Sequence, residues 1–281
     1  MSLSASAAKR ALTHRSFVIG AALTLLLLAA AALSLVWTPW SPYEIDMAAK
    51  LQLPDARHWL GTDPFGRDVT SLLLVGARNS ILVGVIAVGI GLTVGASLGL
   101  LAAARRGWVE ELIMRLADFT FAFPAILSAI MMTAVFGAGI VNSIIAIGIF
   151  NIPTFARITR ASANSVWSRE YVLAARACGK SPWRITFDHV LPNILSALIV
   201  QATIQFALAI LAEAALSYLG LGTQPPQPSW GHMLAEAQTL LFQAPQLAVF
   251  PGVAIALAVL GLNLAGDGLR DLLDPRLTRK R

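Results

Sequence analysis

Six stretches of this chain are long and apolar enough to fill a lipid bilayer: residues 17–37, 80–103, 119–136, 140–156, 194–217 and 248–266. A hydrocarbon core about 30 Å thick takes roughly 20 apolar residues per helical crossing. The fourth stretch is the weakest, interrupted by Asn142, Asn151 and Pro153. The chain is 57% hydrophobic and 13% charged, with a mean hydropathy of +0.70. Soluble domains sit nearer 45–50% apolar and about 25% charged. The expectation is an all-α membrane protein with six transmembrane helices and no large soluble domain.

The net charge of +6 would, in a soluble protein, point to nucleic acid. Here the charges sort by side instead. With the N-terminus inside, the inner segments collect seventeen of the 21 Lys and Arg residues. They include Lys9, Arg10 and Arg15, Arg105, Arg106 and Arg115, and Arg270, Arg276, Arg279, Lys280 and Arg281. The outer segments hold only Lys50, Arg57, Arg67 and Arg78. Cytoplasmic loops carry the excess of Lys and Arg, so both termini are expected in the cytoplasm and no nucleic-acid partner is expected. The chain divides into 1–79 (cytoplasmic N-terminus, first transmembrane helix, extracytoplasmic segment) and 80–281 (a five-helix core with an inner loop at 157–193 and a cytoplasmic tail). The first run exceeds the 7–15 residues of a signal peptide's apolar region. It reads as an uncleaved anchor, with Trp37 and Trp40 at the outer interface.

Within the outer segment, Asp63-Pro64 and Gly66 predict a turn, and Asp68 or Thr70 a cap for a short amphipathic helix leading into the second span. Gly91, Gly95 and Gly99 recur every four residues and give that span a smooth helix-packing face. Gly137, Ala138 and Gly139 join spans three and four into a hairpin, which Pro124 and Pro153 are placed to kink. In the second outer segment a proline turn precedes a short helix at about Gly231–Phe242. Glu213 is the one clear carboxylate within a span. It is expected near the outer interface, in reach of water, as an anchor or a packing hydrogen bond. No proton relay follows from it. The single Cys178 allows no internal disulfide and reads as a small packing residue. The four histidines form no metal-ligand pair, and no catalytic motif is present. An enzyme, and a metal site, are not expected.

The long inner loop is more informative. It carries Arg157, Arg160, Arg169, Arg176, Lys180 and Arg184 and reads SREYVLAARACGKSPWRITFDHVLPN near its end. Ser168 is placed to cap a helix starting at Arg169, with Glu170 in its first turn. Ala174 and Ala175 are small helix formers, Gly179 suits a position of positive φ after the helix, and Ser181-Pro182 starts a second helix. Leu191-Pro192-Asn193 is expected to break that second helix before the fifth span. Gly179-Lys180-Ser181 imitates the end of a phosphate-binding loop. Ala174 stands where that loop needs glycine, and no strand precedes it. The product is a helix–turn–helix with a small, apolar surface and a basic fringe. Such a surface can enter a cleft on another protein or lie on anionic lipid.

The loop resembles the signature loop of the permease subunits of ATP-binding-cassette importers: Glu-Ala-Ala, three residues, Gly, nine residues, Ile, one residue, Leu-Pro. Ala174, Ala175, Gly179, Leu191 and Pro192 match, while Leu173 replaces the Glu and His189 the Ile. The segments RHWLGTDPFGRDVTSLLLVGAR, EAALSYLGLGTQPPQPSWGHML and PGVAIALAVLGLNLAGDGLRDLLDPR are similar to the dipeptide, oligopeptide and nickel permeases, and the order of features to the C-type permease of the pair. Leu72 and Val75 stand where Arg and Tyr are expected. The resemblance implies a type I importer permease fold with a cytoplasmic coupling helix–turn–helix in a bacterial inner membrane. It implies a second permease as heterodimer partner, two ATP-binding subunits docking on Glu170, Leu173, Ala174, Ala175, Gly179, Ser181, Pro182, Leu191 and Pro192, and an extracytoplasmic binding protein. ATP and Mg would be used by the ATPases, with no cofactor bound by this chain. Small peptides are the first cargo class and a nickel chelate the second. A self-sufficient carrier or channel is the reading from a different class.

Overall fold

A computed structural model describes residues 14–273. The expectations for Lys9, Arg10, Arg276, Arg279, Lys280 and Arg281 lie outside the described residues. Ten α-helices are present among the described residues: α1 (Arg15–Val36), α2 (Val69–Arg105), α3 (Gly107–Phe121), α4 (Ala125–Phe136), α5 (Ile140–Trp167), α6 (Glu170–Ala177), α7 (Pro182–Ile185), α8 (Leu191–Tyr218), α9 (Trp230–Ala237) and α10 (Gln246–Leu273). Five stretches, with α7 and α8 counted as one, are each long and apolar enough to cross a bilayer, and the bent pair α3–α4 makes a possible sixth.

The third span differs from its expectation. Residues 119–121 belong to α3, and the chain turns by 83° at Ala122–Pro124 before α4 begins. Proline disfavours helical geometry at the residue before it. Pro124 also has no N–H to continue the α3 ladder. α4 alone, at 12 residues, spans only about 18 Å. Pro153, by contrast, lies inside an unbroken α5.

The other spans outrun their apolar runs. α2 starts at Val69 as one 37-residue helix, so no separate amphipathic helix precedes it. Asp68 caps it, accepting from the Ser71 N–H at 2.7 Å and the Ser71 hydroxyl at 2.8 Å. α5 runs on to Trp167, so Arg157 and Arg160 sit on a helix rather than in a loop. They pair with Asp118 and Glu110 of α3, which ties the amphipathic α3 across the inner end of α5. Helices end where their hydrogen bonding ends, not where lipid does.

α2 and α5 form the most extensive pair, and the glycine stripe lies between them. A Cβ on Gly91 would stand 2.3 Å from Asn151 Cβ, on Gly95 2.4 Å from the Ile152 carbonyl oxygen, and on Gly99 2.5 Å from that of Ala156. Small residues let membrane helices approach backbone to backbone, where dispersion contacts accumulate. α1 packs on α10 and α2, and α8 sits between α2, α5 and α10. His14 contacts Asp271 at 3.3 Å, so the two described ends of the chain lie on the same side of the bundle. Many large apolar side chains, Leu25, Leu35, Val135 and Val141 among them, are exposed. A bilayer is the solvent that suits such a surface.

Gly95→Ala is expected to lower stability by about 1–3 kcal/mol, because the new methyl meets a backbone oxygen that cannot move aside. Gly89→Ala, on the same helix with no atom within 4 Å of its Cβ, should lose nothing. Thermal unfolding of the two variants in one detergent checks the difference.

Candidate functional site

The helix–turn–helix begins two residues after α5. Arg169, not Ser168, is the N-cap of α6. Ser168 still has helical φ and ψ as the C-cap of α5, and its hydroxyl turns back to the Ser165 carbonyl at 3.0 Å. Gly179 follows α6 at φ +80°. Its N–H bonds to the Arg176 carbonyl at 3.0 Å, and the Lys180 N–H reaches the Ala175 carbonyl at 3.2 Å. This is the Schellman closure, which puts the residue after the C-cap, here Gly179, in the left-handed region. Ser181 then accepts from the Arg184 N–H at 3.4 Å, and Pro182 takes the first position of α7. Gly179-Lys180-Ser181 therefore lies between two helices.

One side of this element is fixed to the bundle. Val172, Ile185 and Val190 are buried in the same cluster as Ala103, Val166 and Trp167. The opposite side is open: Glu170, Leu173, Ala174, Gly179, Ser181 and Pro182 are exposed, and Ala175 is half-buried. Tyr171, Trp183 and Phe187 are exposed with them. Sequence reasoning passed over these three aromatics, although large apolar side chains in a polar loop were the signal. Cys178 is exposed at the end of α6 rather than packed. Lys180 holds the turn from within, 3.3 Å from Asp188 and 3.2 Å from His189 Nε2.

The expected break at Leu191-Pro192-Asn193 is absent: α7, a π turn at Thr186–Val190 and α8 form one continuous helix, Pro182–Tyr218. The π turn lets the Leu191 N–H bond to the Thr186 carbonyl. Asn193 Nδ2 donates to the His189 carbonyl at 2.6 Å. A proline inside a membrane helix is tolerated where a local π turn and a neighbouring polar side chain satisfy the backbone groups it leaves. Leu191 is half-buried and Pro192 exposed on this helix.

Glu213 corrects another expectation. It is fully buried, not in contact with water. Its carboxylate accepts from Ser217 at 2.7 Å, Ser229 at 3.0 Å, Thr223 at 3.1 Å and Ser80 at 3.4 Å. Burying a carboxylate is costly unless hydrogen bonds replace its hydration. Here four hydroxyls from α2, α8 and the outer segment do so. Beside it Trp230 donates to the Leu73 carbonyl at 3.1 Å and Asn79 to that of Pro228 at 2.7 Å. The second outer segment is thereby fixed to the start of α2.

Further out, Arg67 bridges Asp63 at 2.5 Å and Glu236 at 3.0 Å, and His232 lies 3.4 Å from Glu236. Burial pushes the Asp63 carboxyl up, and the Arg67 charge opposes it without winning. Burial acts on Glu236 in the same direction. There the His232 hydrogen bond and Arg67 together prevail and hold it below its ordinary value.

Finally, an open apolar groove of about 860 Å³ runs between α2 and α8, reaching from Val85 and Phe206 to Trp183 and Phe187 of the helix–turn–helix.

An all-helical, multi-span bundle with a rigid small-residue helix–turn–helix at one end has the architecture of an importer's membrane permease. Comparison with known proteins makes this specific. Residues 91–279 match the family model described as binding-protein-dependent transport system inner membrane component, and the chain belongs to that family. It is 46% identical over 224 residues to the glutathione transport system permease protein GsiD of Pectobacterium atrosepticum, covering 80% of this chain and 74% of that protein. To the dipeptide permease DppC of Alkalihalophilus pseudofirmus it is 47% identical over 234 residues, 83% of this chain and 77% of that one. To the di/tripeptide permease DppC of Pseudomonas aeruginosa it is 44% identical over 271 residues, 94% and 89%. The fold matches a chain of the inward-facing MetNI methionine ABC transporter with a TM-score of 0.62 at 18% identity, over 72% of this chain and 97% of that chain. The protein is thus a multi-pass membrane component of a transport system and not an enzyme.

The Glu236 carboxylate, with its lowered pKa, contributes stability above its ordinary value of 4.5. That contribution is lost as pH falls through the lowered value. Asp63, with its raised pKa, acts in the opposite sense. The gap in unfolding temperature between the wild type and Glu236→Gln is therefore expected to be full at neutral pH and to close below 4.5. A pH series of melting curves on both proteins measures it.

Proposed function

We propose that the chain is one membrane half of an ATP-driven, binding-protein-dependent importer of small peptides in a bacterial inner membrane. The observation that carries this is the helix–turn–helix. It offers a mix of small and large exposed residues outward and is fixed inward by Val172, Ile185 and Val190. Glu170, Leu173, Ala174, Ala175, Gly179, Ser181 and Pro182 form the docking face for an ATP-binding subunit, and Leu191 and Pro192 carry its motion onward. Because Pro182–Tyr218 is one helix, a displacement of the docked element moves α8 as a lever. α8 borders the apolar groove. A second, different permease covers that groove, and the path for substrate runs between the two halves. ATP and Mg are used by two partner ATPases, while this chain supplies coupling and half of the path.

The cargo assignment follows the relatives, whose names specify dipeptide, di/tripeptide and glutathione transport. An extracytoplasmic binding protein would deliver the peptide to the outer face formed by residues 38–68 and 219–245. The Glu213 and Arg67 networks keep that face in one shape.

Gly179→Val tests the docking face. The site is open, with no atom within 4 Å of a Cβ, but φ is +80°. A β-branched residue there is strained whatever the space. The variant is expected to insert and fold, yet to lose most ATPase association and peptide uptake in membrane vesicles. Normal association together with normal uptake would contradict the assignment.

A further inference from the structure

We propose that the cavity enclosed by the inner ends of α2 and α5 and by the helix–turn–helix is a binding site for a phosphate group. The cavity measures about 480 Å³, within the range of small-ligand pockets. Its charged lining is Arg105 and Arg106 from the end of α2, Arg176 from α6 and Lys180 from the turn, and no Asp or Glu lines it. Its apolar floor includes Val172 and Ile185.

Two observations separate this cavity from a general excess of inner-side cations. The first is pairing. Arg157 and Arg160, on α5, have carboxylate partners on α3. Among the described residues, Arg105, Arg106 and Arg176 have no carboxylate within 4 Å. Lys180 is the one lining cation with such a partner, Asp188. Like charges gathered around one concavity repel, and an anion between them removes that repulsion. The second observation is Trp167. It lines the cavity and is only 8% exposed, and its indole Nε1 is buried with no hydrogen-bond partner. An unmet buried donor costs about 1–3 kcal/mol, and a turn of the indole toward the cavity on binding would let an anion oxygen meet it.

The donor set favours phosphate over carboxylate. Guanidinium groups match phosphate oxygens in bidentate pairs, and three of them with an ammonium and an indole N–H exceed what two carboxylate oxygens accept. Two sources share this chemistry: the headgroup of an anionic phospholipid in the inner leaflet, and a soluble phosphate. Either occupant would bridge the spans (Arg105, Arg106, Trp167) to the helix–turn–helix (Arg176, Lys180). It would hold that element against the bundle at the edge of the proposed docking face, whose Leu173 and Pro182 also line the cavity.

The test uses the full chain in phosphatidylcholine nanodiscs without any ATPase, so its failure would be separate from a failure of the docking assignment. The unfolding temperature is followed as phosphatidylglycerol is mixed into the disc or as inorganic phosphate is added. A saturable rise with phosphatidylglycerol alone identifies the lipid headgroup, and a rise with inorganic phosphate in pure phosphatidylcholine identifies the soluble anion. In either case the combined variant Arg105→Gln, Arg106→Gln, Arg176→Gln should weaken half-saturation by roughly tenfold per guanidinium removed. Trp167→Phe should weaken it several-fold with no change in charge. Arg169→Gln with Arg184→Gln, which removes two loop cations outside the lining, should leave it unchanged. Arg176→Gln alone, on an exposed position of α6, carries the same tenfold expectation if the combined variant does not fold. No rise with either addition, or an equal loss in the Arg169/Arg184 variant, would overturn the proposal.

Discussion

Along Gly91, Gly95 and Gly99 the backbones of α2 and α5 come closer than any side chain would allow. That approach sets the position of everything at the inner end. α5 ends at Trp167, and α6 follows after two residues. The placement of the helix–turn–helix is therefore inherited from the α2–α5 contact, and Val172, Ile185 and Val190 fix it there. In lipid, apolar burial between helices gives little net drive, so close packing and satisfied polar groups must supply specificity.

The polar groups divide into two sets with different work. At the outer end Glu213 with its four hydroxyls, and Arg67 between Asp63 and Glu236, join segments distant in sequence into one cap over the bundle. At the inner end the Arg157–Asp118 and Arg160–Glu110 pairs tie α3 to α5. The proposed docking face carries neither kind of network: it is largely apolar, exposed and anchored only from behind. Rigid ends and an open surface between helices suit an element that receives force from a partner and passes it to α8.

Much of this was legible in the sequence. Apolar runs located the spans, because hydrocarbon leaves the backbone little choice. Gly179 and Ser181-Pro182 marked the turn, because their conformational needs are local. The misread helix ends share one cause. Hydropathy reports where lipid stops, whereas helices stop where hydrogen bonding does, so α2, α5 and α8 all extend past their apolar runs. Pro192 signalled a break that the π turn and Asn193 absorb. The Glu213 site was hidden because its donors come from positions 80, 217, 223 and 229, which no local pattern connects. The three loop aromatics were visible but carried no periodicity to mark them.

On the proposed function, the exposed face of the helix–turn–helix meets an ATP-binding subunit. Cys178 offers a direct measurement, since it is the only cysteine in the chain, exposed, and adjacent to Gly179. A thiol-anchored photo-crosslinker attached there in native membranes, followed by mass spectrometry of the adducts, reads what lies against the turn. Docking at this face predicts a defined adduct between this chain and an ATP-binding-cassette ATPase. Efficient labelling of Cys178 that yields only lipid adducts or self-adducts would contradict docking, and would favour a carrier or channel that works without an ATPase.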